Sequence, residues 1–393
     1  MTATDRSPST APAREPELLR AREFADLLAI VPSMIGMRAE DSLVVVPFLG
    51  RRAGGGFRLP LPDRLRRSEI QALARGCTGL MAAVRDADAA LAVVYTSGTF
   101  EQSRGIPLLD LGRAVLRRLE RTDLGIVGVA CVAADGWGRY TIPAESRSPR
   151  PLSELEGSEA GILARAATPD PLDVRALAGL PDVSAADRAI VAAVLDRGPG
   201  VALDAISMVE RWLASPPTAG QDARIIRVMQ SPALRDRITI QIALGRGAAE
   251  QSRRLQHRLE AVQATTGESM DEIVERETAA SDVDEHDLAS AALMMGTGAG
   301  PDRRRVERAT ASLARLAALA PREARPPVLT VLAWCWWALG VASLAAVHLE
   351  SALRIDPGYS MAQLYRTVFA SRSLPDWVVG AASESLVAAS EHP

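Results

Sequence analysis

The stretch from Pro32 to Leu49, PSMIGMRAEDSLVVVPFL, constrains the fold more than any other part of the chain. Pro32 has no amide hydrogen to donate and argues that the preceding helix stops there. Gly36 suits a turn that needs positive φ. Asp41 and Ser42 then lead into SLVVVPFLG, a near-continuous apolar, β-branched run. A strand of that kind has no polar face to offer water and has to be covered on both sides. The chain around it is therefore expected to build a layered unit of sheet and helix.

The flanking sequence extends this expectation. Residues 1–17 are Pro, Ser, Thr and Ala with charges and hold no apolar h-region, so they read as a disordered tail and not as a signal peptide. Leu18 to Ile30 carries apolar residues at helical spacing. Phe57 to Leu61 is expected as a short edge strand, because Pro60 and Pro62 cannot donate to a ladder on both sides. A helix over Ser68 to Arg85 with Ser68 as its cap, a buried strand over Ala90 to Thr96, a helix over Pro107 to Arg121 and a strand over Gly125 to Ala133 follow. Asp135-Gly136 signals a hairpin with a returning strand over Gly138 to Ile142. Alternation of this kind implies an α+β or α/β domain over 18–143, with a mixed sheet of four to five strands flanked by helices.

Residues 144–182 shift to Pro, Ser, Arg and Asp and read as a connector. From 183 to 393 the sequence predicts an all-α domain. Ser184-x-x-Asp187 has the spacing of a capping box, and Gly198-Pro199-Gly200 and Pro216-Pro217 separate helices. Gly296 to Gly300 (GTGAG) reads as a flexible linker. Val328 to Val347 is long enough to span a membrane without a charge. Trp334, Trp336 and Trp337 nevertheless fall near its middle, and Gly340 divides it into two helices of ordinary length. A soluble, tetratricopeptide-like hairpin over about 326–356 is the favoured reading, and no membrane span is expected.

Composition removes several chemistries. The 393 residues hold no lysine, so all 45 basic residues are arginine. No phosphate-loop lysine, Schiff-base lysine or kinase lysine can come from this chain. A formal charge of −3 argues against nucleic acid as the main partner. Cys77, Cys131 and Cys335 lack metal-ligand spacing and fit buried thiols in a reducing cytoplasm. His257, His286, His348 and His392 are scattered, so neither a histidine metal site nor a Ser-His-Asp triad is indicated. No metal and no cofactor is expected.

Three places together resemble an actinobacterial family of unknown function, the domain-of-unknown-function family numbered 4192. The first is Pro32-x-x-x-Gly36 followed by Asp41-Ser42-Leu43-Val44-Val45-Val46. The second is Arg235-Asp236 after Ser231-Pro232-Ala233-Leu234. The third joins Trp334, Gly340 and Asp356-Pro357-Gly358-Tyr359-Ser360. Alanine stands at 39 where that family usually has proline, and Gly247 to Gly300 is longer than its usual connection. The resemblance implies an architecture over most of the chain and no reaction.

Each candidate site has a plainer reading beside it. Asp41 and Ser42 stand at the amino end of their strand, where a turn-forming carboxylate and hydroxyl are expected to serve nearby backbone. Thr96, Ser97 and Gly98 follow a strand's carboxyl end, where anions bind in open α/β sheets, with Asp135 and Trp137 at the same edge. Without lysine or a full glycine fingerprint, turn structure is favoured there too. Ser281 to Asp287 (SDVDEHD) lacks the glycine and glutamate of a calcium loop and has capping-box spacing instead. Gly296-x-Gly298-x-Gly300 before Arg303-Arg304-Arg305 follows a helix and not a strand, the wrong context for a phosphate loop.

The leading expectation is a cytoplasmic, non-enzymatic interaction or regulatory protein whose partner is another protein. The alternative is a small-molecule or nucleotide-binding enzyme with a pocket near Thr96, Ser97, Gly98 and Asp135. An arginine-mediated nucleic-acid contact is the minor alternative.

Overall fold

A computed structural model describes residues 20–62, 64–167, 173–197, 204–279, 285–372 and 374–391. The expected tail at 1–17, the Gly198-Pro199-Gly200 break, Ser281 to Asp284 of the acidic segment and His392 lie outside them.

Six strands form one mixed sheet: β1 (Ser42–Leu49), β2 (Arg52–Ala53), β3 (Phe57–Pro60), β4 (Ala89–Tyr95), β5 (Gly125–Ala133) and β6 (Gly136–Arg139). β1 pairs with β4 on one side and with both β2 and β3 on the other, all antiparallel. β2 and β3 are in effect one edge strand broken at 54–56, where the Gly54 amide donates to the Pro47 carbonyl at 2.9 Å. That break adds the short β2 to the four or five strands expected. β4 and β5 are parallel, and β6 returns antiparallel beside β5. β6 begins at Gly136, two residues earlier than the hairpin signal suggested.

The helices of the N-terminal part are α1 (Phe24–Ile35), α2 (Arg67–Ala83), α3 (Phe100–Ser103) and α4 (Leu109–Leu119). Side chains alternate across β1 as a strand period requires. Leu43 and Val45 join α2, α4, Val129 and Cys131 on one face, whereas Val44 and Val46 meet α1, Val93 and Ala130 on the other. Arg66, not Ser68, is the cap residue of α2, so Ser68 lies inside its first turn.

Pro32 does not end its helix; α1 runs through it to Ile35 and stops at Gly36, in the left-handed region with φ 62°. A proline at 32 orphans the carbonyl four residues back, at Leu28. The buried Tyr95 hydroxyl donates to that carbonyl at 3.4 Å, which gives the orphaned acceptor a partner and offsets part of the cost of continuing.

Four short helices follow: α5 (Pro143–Arg147), α6 (Ser153–Glu156), α7 (Glu159–Ala167) and α8 (Val174–Ala178). Ala160 and Ala164 of α7 pack on Ile30, and the Ser158 hydroxyl donates to Asp26 at 2.7 Å. α6 and α7 are held against α1, whereas α8 packs on the helical core.

The remaining helices are α9 (Ala185–Asp196), α10 (Ala205–Ala214), α11 (Ala219–Met229), α12 (Pro232–Leu244), α13 (Arg246–Thr266) and α14 (Met270–Ala279), then α15 (Glu285–Met294), α16 (Arg303–Leu319), α17 (Arg325–Ala338), α18 (Ala342–Ile355), α19 (Ser360–Ser371) and α20 (Asp376–Glu391). Ser184 caps α9 by accepting the Asp187 amide at 3.0 Å. One large core joins α9 to α12 with α15 to α19 and buries Trp212, Trp334, Trp337 and Tyr365. Among the described residues no helix is long and apolar enough to cross a membrane.

Gly340 makes the corner between α17 and α18, with φ 86°. Its amide donates to Trp337 O at 2.9 Å and the Val341 amide to Trp336 O at 2.8 Å, the paired bonds of a Schellman cap. Gly296 ends α15 the same way, with bonds to Leu293 O and from Thr297 to Ala292 O. A Cβ at Gly296 would stand 2.1 Å from the Trp337 ring, and one at Gly300 2.8 Å from Trp377. The segment read as a flexible linker is a close-packed turn, and tryptophans much later in the chain require glycine at 296 and 300.

The helical region also closes on the sheet. Leu374 and Val379 share a core with β1 and α2, and the Arg85 amide donates to Ser383 Oγ at 3.0 Å.

Candidate functional site

Antiparallel pairing decides the geometry of the candidate rim. Because β1 runs against β4, with Ser42 opposite Tyr95, the amino end of β1 lies beside the carboxyl ends of β4 and β5. Asp41 therefore sits at the same rim as Thr96, Ser97, Gly98 and Asp135, a juxtaposition that strand polarity alone hid in the sequence.

At that rim the loop from Thr96 to Thr99 turns β4 into α3. Asp41, in the left-handed region with φ 37°, accepts from the Ser97 amide at 2.9 Å and the Ser97 hydroxyl at 3.0 Å through Oδ1. Asparagine and aspartate tolerate that backbone better than other side chains. Thr96 Oγ1 accepts from the Gly98 amide at 3.1 Å, and Thr99 Oγ1 from the Gln102 amide at 3.0 Å. Asp135 takes the remaining start of α3, with Oδ1 on the Phe100 amide at 2.9 Å and Oδ2 on the Glu101 amide at 3.3 Å. The Gly98 carbonyl accepts from Ala134, which ties the loop to the hairpin.

An anion cradle works by leaving several backbone N–H groups pointing at one empty place. Here the amides of Ser97, Gly98, Phe100, Glu101 and Gln102 all donate to the chain's own oxygens. Two carboxylates occupy the positions that a bound anion would take, so the arrangement chemically is a capped turn.

Trp137 does not face that loop. It is fully buried between Phe24, at 6.1 Å centroid to centroid, and the Arg150 guanidinium, 4.4 Å above its ring. Paired bonds with Arg150, at 2.9 and 2.8 Å, fasten β6 to the chain before α6. Next to it the Arg139 guanidinium grips Glu145 through Nε at 2.8 Å and Nη2 at 2.6 Å. Those bonds hold the Glu145 carboxyl below its ordinary value.

Ser42 is fully buried, and its hydroxyl has no hydrogen-bond partner among the described residues. Burial pushes the thiols of Cys77 and Cys131 up to about 12, which makes them poor nucleophiles. His348 is 2% exposed and its value falls to about 4, so it stays neutral at ordinary pH. Among the described residues no group of three His, Cys, Asp or Glu is placed to hold a metal.

The helical region contains the polar contacts that sequence reading missed. Arg235 joins Asp236 at 2.9 Å and also the Tyr359 hydroxyl, so two motifs 124 residues apart are one contact. Asp356 Oδ1 accepts the Gly358 amide at 2.9 Å and shapes the turn that presents Tyr359. Asp222, wholly buried, accepts Trp212 Nε1 at 3.2 Å and Arg315 Nε at 3.0 Å; Arg315 also reaches Asp187 at 3.2 Å. Burial outweighs these donors and raises the Asp222 carboxyl. No local pattern announces such a contact, since its members stand on α9, α10, α11 and α16. In the arginine run at 303–305, Arg305 binds Glu210 at 2.8 Å and the Gln241 carbonyl at 3.1 Å, while Arg303 pairs with Glu307.

These features define a protein in which a mixed sheet is wedged against a helical region that carries its own core. The profile of the family described as Domain of unknown function (DUF4192) matches residues 25–375, and the chain belongs to that family. Comparison with curated proteins and with solved structures yields no match.

Proposed function

We propose that this is a non-enzymatic interaction or regulatory protein, in which the sheet braces a helical surface that meets another protein. One observation carries the reading: the polar rim best placed for chemistry spends its donors on Asp41, Asp135, Thr96 and Thr99. The α17–α18 hairpin, with small residues after its glycine corner, supports a tetratricopeptide-like use of the helical region. A single such pair forms no long groove, so the partner would meet the outer face of the bundle. Exposed apolar side chains there include Ile190 on α9 and Leu364 on α19.

The test uses the full chain, because α20 contributes to the core of the sheet. Affinity capture should recover a reproducible partner that is lost with Ile190→Glu or Leu364→Glu. In parallel, nucleotides and divalent metals should leave the melting temperature unchanged. A ligand-induced rise that disappears in Ser97→Ala or Asp135→Ala would establish the small-molecule enzyme reading instead.

A further inference from the structure

α18 is the helix at which the parts of the molecule meet. It packs against α17 and α19 of the helical core, against α8, and against β3 at the edge of the sheet. Its inward row is apolar, with Leu344, Ala345, Leu349 and Ala352 all buried in that core. His348 stands in the same buried row.

His348 is 2% exposed, and its Nε2 is buried with no hydrogen-bond partner among the described residues. A neutral imidazole tolerates such a place. A protonated one does not, because a buried cation needs a counter-charge and acceptors for both of its N–H groups.

The groups on the surrounding elements are committed elsewhere or stand in solvent. Glu350 and Arg354, on α18 itself, are exposed. From α17 come Cys335, a buried thiol, and Arg325, which donates to the Ala320 carbonyl at 2.8 Å. β3 brings Arg58, which donates to the Glu40 carbonyl. The α8 end brings Asp173, paired with Arg38 at 3.8 Å, and Arg175. α19 brings Tyr365, which is buried, and Arg366, which is exposed. Burial alone moves the imidazole of His348, down to about 4.

We infer that α18 is an acid-sensitive joint: protonation of His348 makes its packing give way and uncouples the sheet edge from the helical region. The sign follows from linkage. The packed form holds the imidazole neutral, so the contribution of His348 is complete above the ordinary histidine value of 6.5 and is lost as pH falls toward the lower folded value. Between pH 7 and pH 5 the packed form should lose about 20-fold in population relative to the open one.

Amide hydrogen exchange of the full chain at pH 7 and pH 5, corrected for intrinsic rates, reads the opening of α18 directly. Protection in α18 should fall about 20-fold in wild type and less than about three-fold in His348→Leu, which fills the place without a titrating group. An equal fall in both proteins would overturn the inference. Carbon-13 NMR of the four labelled histidines gives a second reading on the wild type alone. One imidazole should stay neutral down to pH 5. Titration of all four near the ordinary histidine value would overturn the inference even if His348→Leu does not fold.

Discussion

The sheet rim and the helical core handle charge in opposite ways. At the rim, Asp41 and Asp135 are partly or fully exposed and accept mostly backbone amides, so each carboxylate finishes a turn whose neighbours the β-ladder already fixes. In the helical core, Asp222 and Arg235 are buried and reach side chains on other helices or, at Tyr359, in the turn before α19. Helices satisfy their own backbone and can slide or rotate against one another. Side-chain links between them supply the register that strand pairing supplies to a sheet.

The largest effect expected from this contrast is at Asp222. Asp222→Ala leaves Trp212 and Arg315 without their shared acceptor and should cost about 3 kcal/mol, the range seen when one partner of a buried pair is removed. Hydrogen exchange should show the loss in α9, α11 and α16. Unchanged protection there would mean that the link contributes nothing to register. Gly340→Ala comes next, because it forces an L side chain into a φ of 86° and against Val378. A loss of about 2 kcal/mol by chemical denaturation is expected.

Rim substitutions should be milder. Asp41→Ala removes the acceptor for Ser97 at an exposed turn and should cost about 1 kcal/mol. A loss as large as that at Asp222 would erase the distinction between the two regions. Tyr95→Phe should likewise cost about 1 kcal/mol, by re-orphaning the Leu28 carbonyl.

The smallest effects are those of pH, and they sharpen the comparison because their signs differ. Glu145 is lowered by its bonds to Arg139, so its contribution is present above the ordinary carboxylate value and is lost as pH falls through its lower folded value. Asp222 and Asp236 are raised, chiefly by burial, so their contributions are full below the ordinary value and fade as pH rises through the folded one. Denaturation of wild type and Glu145→Gln should therefore converge between pH 7 and pH 3. Wild type and Asp236→Asn should diverge as acid is added, in favour of wild type.

The covered strand at Ser42 to Leu49, the turn at Gly36 and the corner at Gly340 were legible because each rests on local chemistry: a β-branched run or a glycine that can take a positive φ. The continuation of α1 through Pro32 was not, since the compensating hydroxyl lies 67 residues away. Gly296 and Gly300 looked like slack because the indoles that demand them come later in the chain. At the rim, Thr96, Ser97, Gly98 and Asp135 were singled out from sequence. Asp41 was set apart from them only because strand direction cannot be read from a strand's own residues. Trp137 was grouped with them by proximity along the chain, whereas the pleat turns it to the other layer.

The bond from Arg85 to Ser383 spans 298 positions. At a synthesis rate of roughly 5–20 residues per second, the apolar surface beside α2 stays uncovered for roughly 15–60 s while the ribosome makes the segment that shields it. Over that interval the nascent sheet presents a sticky edge to every neighbour, and a chaperone would have its best opportunity there.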